Sequence, residues 1–481
     1  MDRFPNLRAH AAFPGSLDAR SIGLFRILLG IVLLADLLVF RAPNLKAFYS
    51  ESGVFGGEQF YKFGLLEVFT SEAAVLAFFA VTFAAYTLFT LGWWPRLFGV
   101  ASLICLWSIH QRRPEIIATD DLALICLLFW SLFLPLADRF AVSPRSNVRP
   151  GQMVRGLAAF AILVQVALIY FFNAYSKTGP TWSTGVAVSY ALIEDLWAKD
   201  SAAWLAAHTG LCHLLTYAVK PFEFSMPLLI LWPIRNDYTR AAAATLSFIF
   251  HWSIFAFVSL GFFPLITSCW SALLIPSFVW DRLSLLKASR VGQTAASGEE
   301  RQQPHLWRSP SVRIGKAVNA VLLSAAFVLM LLQNARSLEG LRSWPAPPLL
   351  GVLDRTSLFA QRWALYAPDA TIVSKWIKVK VVTGDAQELD AWTVRPFHAD
   401  NSELNAYRQF EPWQNLASVV LHNSVERERL AGNWARYEYE RWNDRHRDRP
   451  AVRIEIVAFE RTILAPQVTT SISSLVIGSY P

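Results

Sequence analysis

The chain has 481 residues, 54% of them hydrophobic and only 17% charged, and the apolar residues come in long blocks. That composition excludes a wholly soluble protein and predicts membrane spans joined to a smaller polar part. The formal charge of +8 would point to nucleic acid in a soluble chain; here the Arg residues flank apolar runs, so no nucleic-acid partner is expected.

Arg3, Arg8 and Arg20 precede the first apolar run, 21–40, which is long enough to span and has no small-residue cleavage site after it. It reads as an uncleaved first helix and not as a signal peptide. Further spans are predicted at 73–92, 96–110, 121–137, 156–176, 211–233, 241–259, 263–280 and 315–333, about nine in all, the third and eighth short enough to be tilted or re-entrant. Cys105, Cys126, Cys212 and Cys269 all fall in apolar stretches without metal-ligand spacing, so buried thiols are expected, with no metal and no disulfide framework.

Segments 138–155, 234–240 and 281–314 are rich in Arg and Lys, whereas 42–72 and 178–210 carry Glu51, Glu58, Glu67, Glu194 and Asp195. The basic segments therefore mark the inside, with the N-terminus cytoplasmic and the C-terminal part delivered outside. Residues 291–304 read as a flexible cytoplasmic linker. Past the last span, 371–383 and 452–457 alternate apolar and polar residues as half-buried strands do, and 415–446 reads as one or two helices. The fold class expected is a polytopic α-helical membrane protein with a C-terminal extracytoplasmic α+β domain. Its divisions are a membrane domain over 1–340, a hinge or docking segment over 341–370, and the external domain over 371–481.

Ionisable residues within spans are the default functional candidates. Arg26 and Asp36 on the first helix are ten residues apart, about 15 Å along the axis, so each is expected to find a partner on another helix or near the headgroups. The connection HQRRPEIIATDD, from His110 to Asp121, reads either as a capped loop or as an anion or substrate-oxygen site built from Arg112, Arg113 and Asp120. The fifth span closes on Tyr170, Asn173 and Lys177, which fall within about 60° of arc before Gly179-Pro180 ends the helix. The Lys177 ammonium either snorkels to the headgroups or points into the bundle, where partial desolvation makes it a base. Glu223, in VKPFEFSMP, interrupts the sixth span and requires a basic partner or a raised pKa. His251, in FIFHWSIFAF, is either a hydrogen-bonded core residue or a functional one. Counted along the spans, Lys177, Arg112, Arg113 and Asp120 fall at the outer face and His251 in the outer half, which predicts one extracytoplasmic pocket.

Tyr170, Lys177, Trp182 and Gly185, in the order Y-F-F…K…W…G-x-A, resemble the central signature of the HTTM family, which includes vitamin K-dependent gamma-carboxylase. His251, Gly261, Phe263 and Pro264 are similar to a second family pattern, and Gln361, Trp363, Tyr366, Ala367 and Pro368 to its lead-in to the external domain. The resemblance covers about residues 15 to 370 and implies a bacterial-type homologue in an inner membrane. It implies Lys177 as the base that starts quinol oxygenation, with His251 as a second catalytic residue. Tyr170, Asn173, Trp182, Arg112, Arg113, Asp120 and Glu223 would bind substrate. A reduced quinone, with O₂ and CO₂ as co-substrates and no metal, would then act on a peptide or protein outside the cell. The chain departs from the family at Arg112-Arg113-Pro114 and Asp120-Asp121, where Arg-Asn-Pro and Gly-Asp are usual, and does not clearly carry the carboxylase branch's Asn-His pair. The alternative is a non-catalytic membrane factor for export, maturation or immunity of a secreted product, its polar residues gluing helices together. With no inverted repeat evident, a transporter gets little support.

Overall fold

The computed structural model describes residues 15–56, 64–143, 153–288, 310–341, 348–355, 360–399, 411–465, 468–469 and 472–481. The expected linker at 291–304, Glu58 and the basic residues Arg3, Arg8, Arg145, Arg149, Arg290, Arg301 and Arg308 lie outside them. Strand β1 (Ser16–Asp18) pairs antiparallel with β2 (Met153–Arg155), and the Asp18 carboxylate caps helix α1 (Ala19–Ala35) by accepting from the Arg20 amide at 2.7 Å. The helix then loosens into π turns at Asp36–Arg41 and Leu45–Tyr49. Helix α2 (Glu72–Leu91) starts at its Ser71 cap and stops at Gly92, whose φ of 73° suits a residue without Cβ.

Helices α3 (Pro95–Arg112), α4 (Thr119–Ser131) and α5 (Leu157–Ser176) follow, then three short ones, α6 (Pro180–Ser183), α7 (Ala187–Ala191) and α8 (Ala202–Ala206). Helices α9 (Thr209–Leu231), α10 (Asn236–Phe257), α11 (Phe263–Leu273), α12 (Ser277–Ala288), α13 (Pro310–Ala335) and α14 (Pro348–Arg355) complete the helical domain. Every stretch predicted to span is helical, but among the described residues six helices are long and apolar enough to cross a membrane, or seven if α11 and α12, bent by 84°, form one span. The expectation of nine exceeds this. Helix α4 has 13 residues, about 20 Å, short of a bilayer core of about 30 Å, and α3 closes on the polar run His110–Arg112. Nor does Glu223 interrupt its span, because α9 runs unbroken through Pro221, Glu223 and Pro227. Helix α5 is central: 67% of its most apolar 18-residue stretch is buried, against 22% for α9.

Arg26 is held by main-chain carbonyls, donating to Leu136 at 2.7 Å and Phe140 at 2.6 Å. Asp36 differs from the expectation of a partner on another helix. It pairs at 2.9 Å with Arg41, five residues along its own chain, because the π turn brings that residue round to the same side.

The C-terminal region contains β3 (Val373–Thr383), β4 (Glu388–Asp390), α15 (Glu411–His422), α16 (Arg427–Arg445), β5 (Ala451–Ala465), β6 (Val468–Thr469) and β7 (Ser473–Tyr480). The two predicted strands are neighbours in one antiparallel sheet, β3 pairing with β5 from Val373↔Thr462 to Thr383↔Ala451. Trp376 stacks on Phe459 at 5.5 Å on that pair, and Leu430, Trp434 and Tyr437 of α16 are buried in the same core. This region packs on one end of the helical domain. Arg461 pairs with Asp195 at 2.7 Å, Gln414 donates to the Leu196 carbonyl at 3.0 Å, and Asn415 donates to the Ile116 carbonyl at 3.1 Å. Those contacts join the sheet and α15 to the α3–α4 connection and to the loops after α5. All four cysteines are free and buried.

Candidate functional site

The polar stripe at the end of α5 turns inward. The Lys177 side chain is 3% exposed and does not snorkel; its Nζ lies 2.8 and 3.0 Å from the two carboxylate oxygens of Glu223 on α9. Glu223 thus has the basic partner that its burial requires. Asn173 ties the pair down, donating from Nδ2 to Glu223 Oε1 at 2.6 Å while its carbonyl accepts from Lys177 Nζ at 3.2 Å. Its Oδ1 accepts the Leu365 amide at 2.8 Å, so the same side chain anchors the segment leading to the C-terminal sheet. Trp182 lies beneath the ammonium, with its ring centre 5.2 Å from Nζ, and donates from Nε1 to the Tyr366 carbonyl at 2.9 Å. Close approach explains the glycine that ends the stretch: a Cβ at Gly179 would stand 2.4 Å from Asp369 Cγ.

About two turns deeper than Lys177, the Tyr170 hydroxyl lies 2.9 Å from His251 Nε2 and 2.7 Å from Ser247 Oγ, which also accepts from Trp270 Nε1 at 2.9 Å. Two proton arrangements satisfy these bonds: Ser247 donates to the Tyr170 oxygen and Tyr170 to Nε2, with the imidazole proton on Nδ1, or Nε2 carries that proton and donates to Tyr170, which donates to Ser247. In either, Nδ1 is buried and has no hydrogen-bond partner among the described residues.

Tyr170, Asn173, Lys177, Trp182, Glu223 and His251 all line one cavity of about 390 Å³. Its other walls are apolar, among them Val219, Phe250, Phe257 and Trp363. The volume falls within the range of small-molecule sites, and polar groups at few points in an apolar wall are their usual chemistry.

Arg112, Arg113 and Asp120 are not brought to this cavity. Both guanidinium groups donate to main chain: Arg112 through Nη2 to the Tyr49 carbonyl at 3.2 Å, its Nε and Nη1 being buried without a hydrogen-bond partner among the described residues, and Arg113 to the Phe48 carbonyl at 2.5 Å while packing over the Phe55 ring at 4.7 Å. A buried guanidinium without a carboxylate must find carbonyls, and the irregular segment after α1 supplies them. Asp120 instead lines a second cavity of about 530 Å³, which shares Thr119, Leu260, Phe263, Leu365 and Tyr366 with the first.

Several residues of both cavities escaped the sequence reading. Leu365 and Tyr366 divide them, although the QRWALYAP stretch reads only as a hinge or docking segment. Glu194 lines the second cavity, and burial beside the Asp195 carboxylate pushes its carboxyl up to about 7. Nor does the sequence single out Arg41. It pairs with Asp36 and hydrogen-bonds Asp121, whose Oδ1 lies 3.3 Å from His110 Nε2, forming a buried network that lines neither cavity. Its signal was the five-residue spacing from Asp36, which matches a π turn and not an α turn.

The HTTM domain family model matches residues 15–280, more than half of the chain. Neither the curated proteins nor the solved structures compared with the chain gave a match. The match spans α1 to α11 and so includes Lys177, Glu223 and His251, whereas Gln361–Pro368 lies beyond it. With six or seven helices able to cross a membrane and its signature lysine in a cavity wall, this chain belongs to the HTTM-domain family, whose domain is also found in vitamin K-dependent gamma-carboxylase.

Proposed function

We propose that the cavity at the end of α5 binds a lipid-soluble hydroxyl compound, a reduced quinone on the family reading, and that Lys177 takes its proton. The observation carrying this is a buried Lys177–Glu223 pair in the wall of an otherwise apolar cavity. A flat ring with oxygen at its edge fits the lining: Trp182, Trp363, Phe250 and Phe257 offer apolar walls, and Lys177 and His251 offer polar ends. When bound, a reduced quinone supplies the electrons that reduce O₂. The protein's part is proton chemistry and positioning. Moving one proton from Lys177 to Glu223 leaves the net charge unchanged, a small step in a dry site, and bares an amine lone pair. Taking the ligand's hydroxyl proton restores an ammonium beside the anion formed. His251, in the same cavity wall and with its Nδ1 unpartnered among the described residues, is the second polar contact for that ligand, through Nδ1 in the tautomer that carries the proton there. Proton abstraction from an extracytoplasmic substrate, with CO₂ addition as one outcome, completes this reading.

The competing reading is a non-catalytic factor for export, maturation or immunity of a secreted product. It is favoured by the same pair, since Lys177 and Glu223 satisfy each other and bridge α5 to α9. The test is O₂ consumption by the purified protein with a reduced naphthoquinone. Lys177→Arg keeps the charge but cannot give up its proton, so activity should fall about a hundredfold or more. Full activity in that variant sinks the catalytic role and leaves the structural one.

The orientation belongs to the same proposal: N-terminus cytoplasmic and C-terminal sheet outside, as seven crossings allow. A cysteine at Ser143 should resist an impermeant maleimide in intact cells and one at Ser473 should react; the reverse pattern refutes it.

A further inference from the structure

The second cavity is unlike the first in charge. Its lining carries Glu115, Asp120, Glu194 and Asp369, and neither Lys nor Arg. It lies between the α3–α4 connection, the Leu365–Thr371 strap and α15 of the C-terminal region, so it opens where the two parts of the molecule meet. Its carboxylates are not gathered for a metal: among the described residues no three His, Cys, Asp or Glu side chains are placed to hold one. Two of its polar groups await something. The Tyr366 hydroxyl, in the wall common to both cavities, is buried without a hydrogen-bond partner among the described residues. Both carboxylate oxygens of Glu115 are likewise buried, with none of the described side chains donating to them.

From this geometry we infer that the second cavity is a binding site for an organic cation, an ammonium or guanidinium group, held beside the Leu365–Tyr366 wall of the Lys177 cavity. The charges favour this over an acidic group. Asp369 is engaged by the Thr181 amide at 2.8 Å, and Arg113 and Arg429 stand near Glu115, but Glu194 has only the Asp195 carboxylate acting on it. A cation arriving there meets the carboxyl that burial and Asp195 hold near neutral, and its arrival favours the ionised form. A Glu-bearing group would instead face four carboxyl groups in a partly desolvated space, where like charges cost most. At about 530 Å³ the space admits a side chain or a small amine and not a folded domain. The assignment stands whether or not Lys177 is a base.

Titration calorimetry of the full-length protein in nanodiscs tests it, with three probes: agmatine, acetyl-Gly-Arg-Gly-amide and acetyl-Gly-Glu-Gly-amide. The Arg peptide should bind at least tenfold tighter than the Glu peptide. Glu115→Gln with Glu194→Gln should remove about tenfold of that affinity while Lys177→Ala leaves it unchanged, which separates this site from the fate of the Lys177 reading. Agmatine binding as tightly as the peptide assigns the cation to a free amine; weaker agmatine binding assigns it to a peptide side chain. Val419→Trp, which fills the cavity from α15 without touching a charge, should abolish binding of both cationic probes and guards against a misfolded double variant. Equal or tighter binding of the Glu peptide, no binding of any probe, or unchanged affinity in both the double variant and Val419→Trp overturns the proposal.

Discussion

The Lys177–Glu223 pair and the Arg41–Asp36–Asp121 network are both buried ionic groups in the helical domain, and they differ in what borders them. Arg41 donates to two carboxylates and to the Tyr49 hydroxyl at 3.3 Å, and it lines neither of the two cavities described above. Lys177 has one carboxylate, one carbonyl and a Trp ring, and its remaining side opens on a space of about 390 Å³. Burial of charge is common to both; access is not. The difference teaches that an ionic residue in a span becomes a candidate site through the empty volume next to it, while a closed network of the same chemistry fixes helix positions.

Removing one member of each network sharpens the contrast. Arg41→Met leaves Asp36 and Asp121 buried together without their shared cation, and should cost about 3–5 kcal/mol in a detergent thermal melt. A variant melting like the parent would show that the network does not hold the helices. Lys177→Met should cost less, because the stranded Glu223 keeps its bond from Asn173 and can reach the cavity. Adding Glu223→Met should recover much of that loss, a coupling of about 1–3 kcal/mol, without recovering activity. Strict additivity of the two changes would mean that the pair is not formed in the membrane.

A further effect, spread over a pH range, is expected outside the spans. Folding raises the Glu194 carboxyl from its ordinary 4.5 to about 7, so the folded protein binds more protons than the unfolded chain between those values. Stability should therefore fall as pH rises from about 4.5 through about 7, and Glu194→Gln should flatten that slope in pH-dependent melts. A slope unchanged in the variant would assign it to another group.

Much of this was legible in the chain. Helices occur wherever apolar blocks predicted them, and six of nine candidate residues share one cavity, because the period of 3.6 already placed Tyr170, Asn173 and Lys177 on one face. Arg112 and Arg113 line neither cavity, which the sequence does not show, because two charges beside a Pro look the same in sequence whether they face a cavity or main-chain carbonyls. Nine expected spans exceed the six or seven helices long and apolar enough among the described residues, because hydropathy reports what a segment can tolerate, and α4 has only 13 residues.

Local pattern by itself determined the helical domain, the α+β tail and the polar stripe on α5, though not that the stripe faces inward, since burial of apolar runs and helical periodicity act over a few residues. Tertiary structure alone decided that Glu223, 46 residues along, completes Lys177, that Arg41 closes a separate network, and that Leu365 and Tyr366 stand between an apolar cavity and an acidic one. Such pairings depend on how helices lie against one another, and a buried charge accepts whichever partner that packing presents, a choice no spacing along the chain records.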